Sequence, residues 1–274
     1  MAVSPLGRSP NYDTQKPNHM ILWLDASIGD PKKYTQLKKA FGSNIDPCCE
    51  NPIMLNDKDY DAILAAHNPV TVTFGGALFL LQAFTNAGDC LNAFEENQDK
   101  CIFFITSGRL GEIVVPQIIE HYRHIFTDRI TNEPCHSIYV FCHSIELNAD
   151  WAMDYREYIQ MFDFDADLLE RMTSDISKYF IERGSRLRRD NNLESALQHL
   201  HWAKRLWLQH EKIKEIKPTD VFRCVQESEK MKEINGLIAE TESMLRQHFD
   251  TEHRNSSDDE HYGVEDERPS ESNS

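Results

Sequence analysis

Three short stretches carry the side chains with the most chemistry to offer: Asp25-Ala26-Ser27, Ser107-Gly108-Arg109-Leu110-Gly111 and Cys142-His143-Ser144. Each follows an apolar run that reads as a buried strand. That places all three where open parallel sheets bind their ligands, outside the carboxyl ends of the strands. Gly108 and Gly111 would let backbone amides approach an anion at the start of a helix, and Arg109 could pair with a phosphate or carboxylate. An imidazole at position 143 can serve as general acid or base near neutral pH. Asp25, Ser107, Gly108, Arg109, Gly111 and His143 therefore form a candidate site for a small anion. A plainer reading stands beside each. The glycines also suit a tight strand-to-helix turn, Asp25 suits the capping of loop amides, and His143 suits an ordinary loop.

No catalytic set is complete. The glycines follow neither G-x-G-x-x-G nor G-x-x-x-x-G-K-[ST], so dinucleotide and P-loop fingerprints are absent. Ile105-Thr106 precede Ser107 where a nucleophile elbow needs G-x, which argues against a serine hydrolase. The seven cysteines form no C-x-x-C pair, and Cys101 and Cys142 lie in apolar runs, as core thiols do. His121/His124 and His136/His143 lack companions at zinc-finger spacing, so no metal and no cofactor is expected.

Charge excludes further classes. The 274 residues hold 45 acidic against 29 basic side chains, a net charge of −16. Phosphate neutralisation needs clustered Lys and Arg, so nucleic acid is not expected as a partner. No apolar run approaches the roughly 20 residues of a membrane span, and Met1–Lys16 contain no apolar signal core. The expectation is a cytoplasmic protein without a membrane. Residues 250–274 hold nine carboxylates and two arginines with few large apolar side chains, which reads as a disordered acidic tail.

The remaining pattern must position the three stretches. Residues 1–18, punctuated by Pro5, Gly7, Pro10 and Pro17, read as a flexible leader. His19–Leu24 form a continuous apolar run, the pattern of a strand buried on both faces. Asp30-Pro31 then predict a helix start, with Tyr34, Leu37 and Phe41 at helical spacing and Gly42 as its stop. Residues 43–76 read as an insertion, with a short helix at 57–66 and strand character at 70–74 before Gly75-Gly76. Further strands are expected late in 77–84, at 101–105, at 137–142 and at 158–162. Residues 106–111 are expected to form a tight loop, followed by a helix with Pro116 in its first turn. Asp165 opens a helix that Gly184 ends. The fold expected for 19–184 is a flavodoxin- or receiver-like doubly wound α/β domain with a mainly parallel, five-stranded sheet. Ser185–Asp190 read as a basic linker, and 185–249 as an α-helical hairpin whose second helix starts at Thr219 and runs to Phe249.

Ile21-Leu22-Trp23-Leu24-Asp25, Ile102–Ile105 leading into Thr106-Ser107-Gly108-Arg109-Leu110-Gly111 and Val114-Val115-Pro116, Ser137–Cys142 and Trp151 form a set. Together they resemble a receiver-like or TIR-like α/β module found at the N-terminus of invertebrate multidomain proteins. In those proteins tetratricopeptide repeats and an arginine-specific ADP-ribosyltransferase domain often follow. The resemblance spans roughly 20–184 without 43–76. It implies a signalling fold, but the receiver's phosphoacceptor Asp is replaced by Thr106-Ser107 at the end of that strand. The catalytic Glu of a NAD-cleaving TIR domain stands beside a Trp-Cys pair; Glu112 is nearby, without that pair.

Two functions follow as expectations. The first is an intracellular signalling or scaffolding module without a complete catalytic set. It would engage a protein partner, or itself, through the helical extension, where the 219–249 helix carries an apolar stripe. The second is a small-molecule enzyme or nucleotide/NAD sensor at the carboxyl edge of the sheet.

Overall fold

Met20 through Leu24 are all buried because β1 (His19–Leu24) runs through the middle of a sheet covered on both faces. Its side chains alternate between two cores. Ile21 and Trp23 enter one, and Met20, Leu22 and Leu24 enter the other. The computed structural model describes residues 17–42, 54–128, 131–216 and 228–258. In chain order the remaining elements are α1 (Thr35–Lys39), β2 (Phe41–Gly42), α2 (Asp57–Ala65), β3 (Val70–Phe74), β4 (Ala77–Phe84), α3 (Ala87–Glu96), β5 (Cys101–Ser107), α4 (Gly108–Tyr122), β6 (Ile138–Phe141), α5 (Ala149–Asp154), β7 (Ile159–Phe162), α6 (Asp165–Arg189), α7 (Leu193–Ile216) and α8 (Glu229–Asp258).

The sheet has seven strands in the order β2-β3-β4-β1-β5-β6-β7, not the five expected. β4, β1, β5, β6 and β7 are mutually parallel, and in the order they occur along the chain they follow the 2-1-3-4-5 pattern of flavodoxin-like doubly wound folds. Of the extra two, β3 lies in the stretch read as an insertion, and β2 is the Phe41-Gly42 expected to end a helix. β3 pairs antiparallel with β4 through Gly75-Gly76, and β2 pairs antiparallel with β3. Both glycines have positive φ (58° and 78°), as a two-residue hairpin turn matching the sheet twist requires.

Several local boundaries differ from the sequence expectation. Asp30 does not start a helix with Pro31; its carboxylate accepts the Lys32 amide in a turn, α1 begins only at Thr35, and Gly42 lies in β2 rather than ending a helix. Residues 106–111 are not a loop. β5 continues to Ser107 and α4 begins at once at Gly108, so Pro116 lies inside α4 and removes one of its backbone hydrogen bonds. Gly184 does not end α6. The helix runs through the arginines of 185–189, which are its last turn and not a linker, and stops where Asn191 adopts φ 59°.

The helical extension is not an appendage. α1, α2, α6 and α7 cover one face of the sheet, and Leu197, Leu200, Trp202, Ala203 and Leu206 of α7 share one core with Trp23, Phe79 and Phe103. Gly184 lets α6 and α7 approach closely: a Cβ there would stand 2.9 Å from Leu200 Cγ and 3.2 Å from the Ala196 carbonyl oxygen. α8 returns antiparallel to α7, with Trp207 Nε1 donating to Ser228 Oγ near its start and Arg188 paired to Glu240 further along. Met231, Ile234, Ile238 and Thr241 are buried within the chain, while Met244 further along the same helix is exposed. The expected helix start at Thr219 lies outside the described residues. α8 extends to Asp258, so the first nine residues of the expected tail are helical, and 259–274 are not described. The other face is covered by α3, α4 and α5. Among the described residues no helix is long and apolar enough to cross a membrane.

Candidate functional site

Strand register sets the level of the carboxyl edge. Leu24 pairs with Thr106 and Ser107 with Phe141, so Asp25, Ser107 and the β6 end share one rim at the point where connections from β1 and β5 leave toward opposite faces. This is the crevice that doubly wound folds use for ligands. The sequence-derived candidates Asp25, Ser107 and Gly108 do meet here.

The crevice is largely filled by the chain itself. Asp25 is buried, and its amide donates to the Phe84 carbonyl at 2.9 Å. Its carboxylate accepts the Ser27 amide at 2.6 Å and the Tyr34 hydroxyl at 2.6 Å. Burial first, and then the Asp25 carboxylate, raise the Tyr34 phenol well above its ordinary pKa, so Tyr34 is a neutral donor. Its ring stands edge-on to Trp23 at 5.5 Å and Phe141 at 5.3 Å, bridging the β1 and β6 ends. Tyr34 reaches this position from a left-handed backbone (φ 57°), which no spacing in the sequence signals.

The glycines serve packing. A Cβ on Gly108 would lie 2.6 Å from Asn148 Oδ1 and 2.9 Å from Cys142 Cβ; one on Gly111 would lie 3.0 Å from Thr106 Cγ2 and 3.3 Å from the Trp151 ring. The connection after β6 is drawn onto the start of α4 at these two positions. Asn148 does not cap α5 with its side chain. Its Nδ2 donates to the Ser144 carbonyl at 2.9 Å and its Oδ1 accepts the Trp151 indole N–H at 3.4 Å. Arg109 and His143 are exposed, the His143 ring lying 6.4 Å from that of Phe141. Cys142, the thiol nearest the rim, is held above its ordinary pKa by burial, the wrong direction for a nucleophile. Among the described residues no group of three or more His, Cys, Asp or Glu side chains is placed to hold a metal ion.

Two features of this edge were not marked by sequence reasoning. Leu147 is 86% exposed and Phe164 65%, with Ile145 also exposed, and all three lie on connections leaving the carboxyl ends of the neighbouring strands β6 and β7. Glu146, Asp150 and Asp163 are exposed beside them in the chain. Alternating Ile145-Glu146-Leu147 was the available signal, but a buried helix start would read the same way. The second feature is a pair of clefts away from the edge. One cleft of about 370 Å³ lies between α7 and the β3–β4 turn, and one of about 160 Å³ lies around His19 and Trp202.

Fold and edge thus define an α/β protein with a mostly parallel, flavodoxin-like doubly wound sheet and a packed helical layer. No protein-family model, no curated protein and no solved structure matches the chain.

Proposed function

We propose that the chain is an intracellular, cytoplasmic signalling or scaffolding module of receiver-like or TIR-like type, which binds a protein partner at the carboxyl edge of its sheet and carries out no catalysis there. The observation that carries this reading is the exposure of Leu147 and Phe164 on adjacent connections within an acidic surround. Large apolar side chains exposed together mark interaction sites. Carboxylates around them favour a partner with basic residues flanking apolar anchors, so the occupant proposed is a basic amphipathic helical segment. A second copy of this chain would bring the same acidic rim against itself. The enzyme or nucleotide-sensor alternative has less support, because the Asp25 carboxylate is engaged by Ser27 and Tyr34, and the glycines approach Asn148, Cys142 and Trp151.

Titration calorimetry with a synthetic Leu/Lys amphipathic helix, against a Leu/Glu helix of the same pattern, tests the proposal. The basic peptide is expected to bind, and Leu147→Ser/Phe164→Ser to weaken it at least tenfold; both side chains are exposed, so the fold is spared. Equal binding by the double variant, binding of the acidic peptide, or a dimer in light scattering that the double variant abolishes would each overturn it.

A further inference from the structure

A cleft at the β3–β4 turn lies at the opposite ends of the strands from that edge, and its chemistry is of one sign. Arg205, Leu208, Gln209 and Lys212 fall at i, i+3, i+4 and i+7 of α7 and form one wall; Lys39, Phe41, Gly42, Thr73 and the Gly75-Gly76 turn form the other, with Met54 at the side. Its described lining contains three cations, Lys39, Arg205 and Lys212, and no carboxylate. In a chain with 45 acidic and 29 basic residues such a lining is a local inversion of charge. Leu208 and Met54, both exposed, add an apolar surface beside the cations.

The cleft is built, not incidental. Gly75 and Gly76 let the hairpin turn press against α7: a Cβ on Gly75 would lie 2.4 Å from Leu206 Cδ2 and 2.7 Å from Gln209 Oε1, and one on Gly76 3.0 Å from Arg205 Cδ. Arg205 Nη1 donates to the Gly76 carbonyl at 2.8 Å, which orders the guanidinium at the wall and leaves its other N–H groups to give. Gln209 Oε1 is buried with no hydrogen-bond partner among the described residues. A buried acceptor left unpaired is costly, and a ligand donor, or rotation of the amide to present its N–H₂ to an anion, would satisfy it. About 370 Å³ is within the range of small-molecule sites.

We infer that this cleft binds a small organic anion, a phosphate ester or carboxylate carrying an apolar group, with Lys39, Arg205 and Lys212 holding the anion and Leu208 and Met54 the apolar part. The inference uses none of the residues of the interaction edge. Calorimetric titration with phenyl phosphate, and with benzylamine as the cation of similar size, tests it. Phenyl phosphate is expected to bind and benzylamine not to. Lys39→Glu/Lys212→Glu should weaken phenyl phosphate at least tenfold, while Lys58→Glu/Lys178→Glu, the same change in net charge placed outside the cleft, should leave it within twofold. All four lysines are exposed. Lys39→Gln/Lys212→Gln provides a milder pair should the reversal unfold the protein. Failure of phenyl phosphate to bind, affinity unchanged in the cleft variants, or equal binding of benzylamine would overturn the inference.

Discussion

Lowering the pH should unfold this protein partly through one side chain, His19. It begins β1 on the face covered by α6 and α7, is 2% exposed, and hydrogen-bonds through Nε2 to the Leu78 carbonyl at 2.6 Å. The rings of Phe79, Phe180 and Trp202 stand edge-on to it at 4.6, 4.9 and 5.5 Å. Burial pushes its pKa down from 6.5 to about 3; the Leu78 bond opposes this, while His199 and Arg183 act in the same direction. A carbonyl can only accept, so the neutral ring carries its proton on Nε2. The folded protein therefore holds His19 neutral, whereas the unfolded chain protonates it below 6.5. Stability is fully present above about 6.5, and falls with pH until the folded pKa near 3 is reached. Going from pH 7.5 to pH 5, the unfolded state gains about 1.5 units of protonation driving force, a loss of about 2 kcal/mol. Urea unfolding followed by tryptophan fluorescence, at both pH values and fixed ionic strength, measures it. His199, His201 and His210 are also lowered by burial, so the comparison is with His19→Gln, whose amide can still donate to Leu78. Wild type should lose about 2 kcal/mol more than the variant over this interval. Equal losses would refute the argument.

The same glycine-to-alanine change should act in opposite directions on two helices. Gly184→Ala must fit a Cβ against Leu200 and the Ala196 carbonyl, an overpacking cost of about 1–3 kcal/mol that exceeds the roughly 1 kcal/mol of helix propensity gained. Gly236→Ala meets nothing within 4 Å on α8 and should stabilise by roughly 0.5–1 kcal/mol. Calorimetric melting of the pair tests both signs, and a raised Tm for Gly184→Ala would contradict the packing. Tyr34→Phe removes the donor to the buried Asp25 Oδ2 and should cost about 1–3 kcal/mol in urea unfolding at neutral pH. A loss below about 0.5 kcal/mol would mean that water reaches the carboxylate.

The parallel strands were legible because each is buried on both faces and so reads as an unbroken apolar run, as 19–24, 101–105 and 138–141 do. β3 also reads as a strand, from the alternation Val-Thr-Val-Thr-Phe at 70–74, whereas the edge strand β2 has two residues, too few to show any period. Glycines mislead as breakers. Gly42 and Gly184 both read as helix stops, yet Gly42 lies in β2, and Gly184 is mid-helix because α7 needs the space a Cβ would occupy, so the stop falls to Asn191. The cleft of Lys39, Arg205 and Lys212 was invisible because its walls lie more than 120 residues apart in the chain.

Sequence alone determined the class of fold, the two-faced burial of the central strands, the position of Asp25, Ser107 and Gly108 at the carboxyl edge, and the lack of any complete catalytic fingerprint. Those properties follow from local periodicity and from residue order, which each segment carries by itself. Tertiary structure decided what that edge is free to do. Whether a carboxylate at 25 faces a ligand or Tyr34, whether glycines at 108 and 111 admit an anion or Asn148 and Trp151, and whether the last helices reach outward or cover the sheet all depend on which surfaces meet. Close packing settles each of these by filling the space beside a group with a particular neighbour, and that neighbour comes from a distant part of the chain.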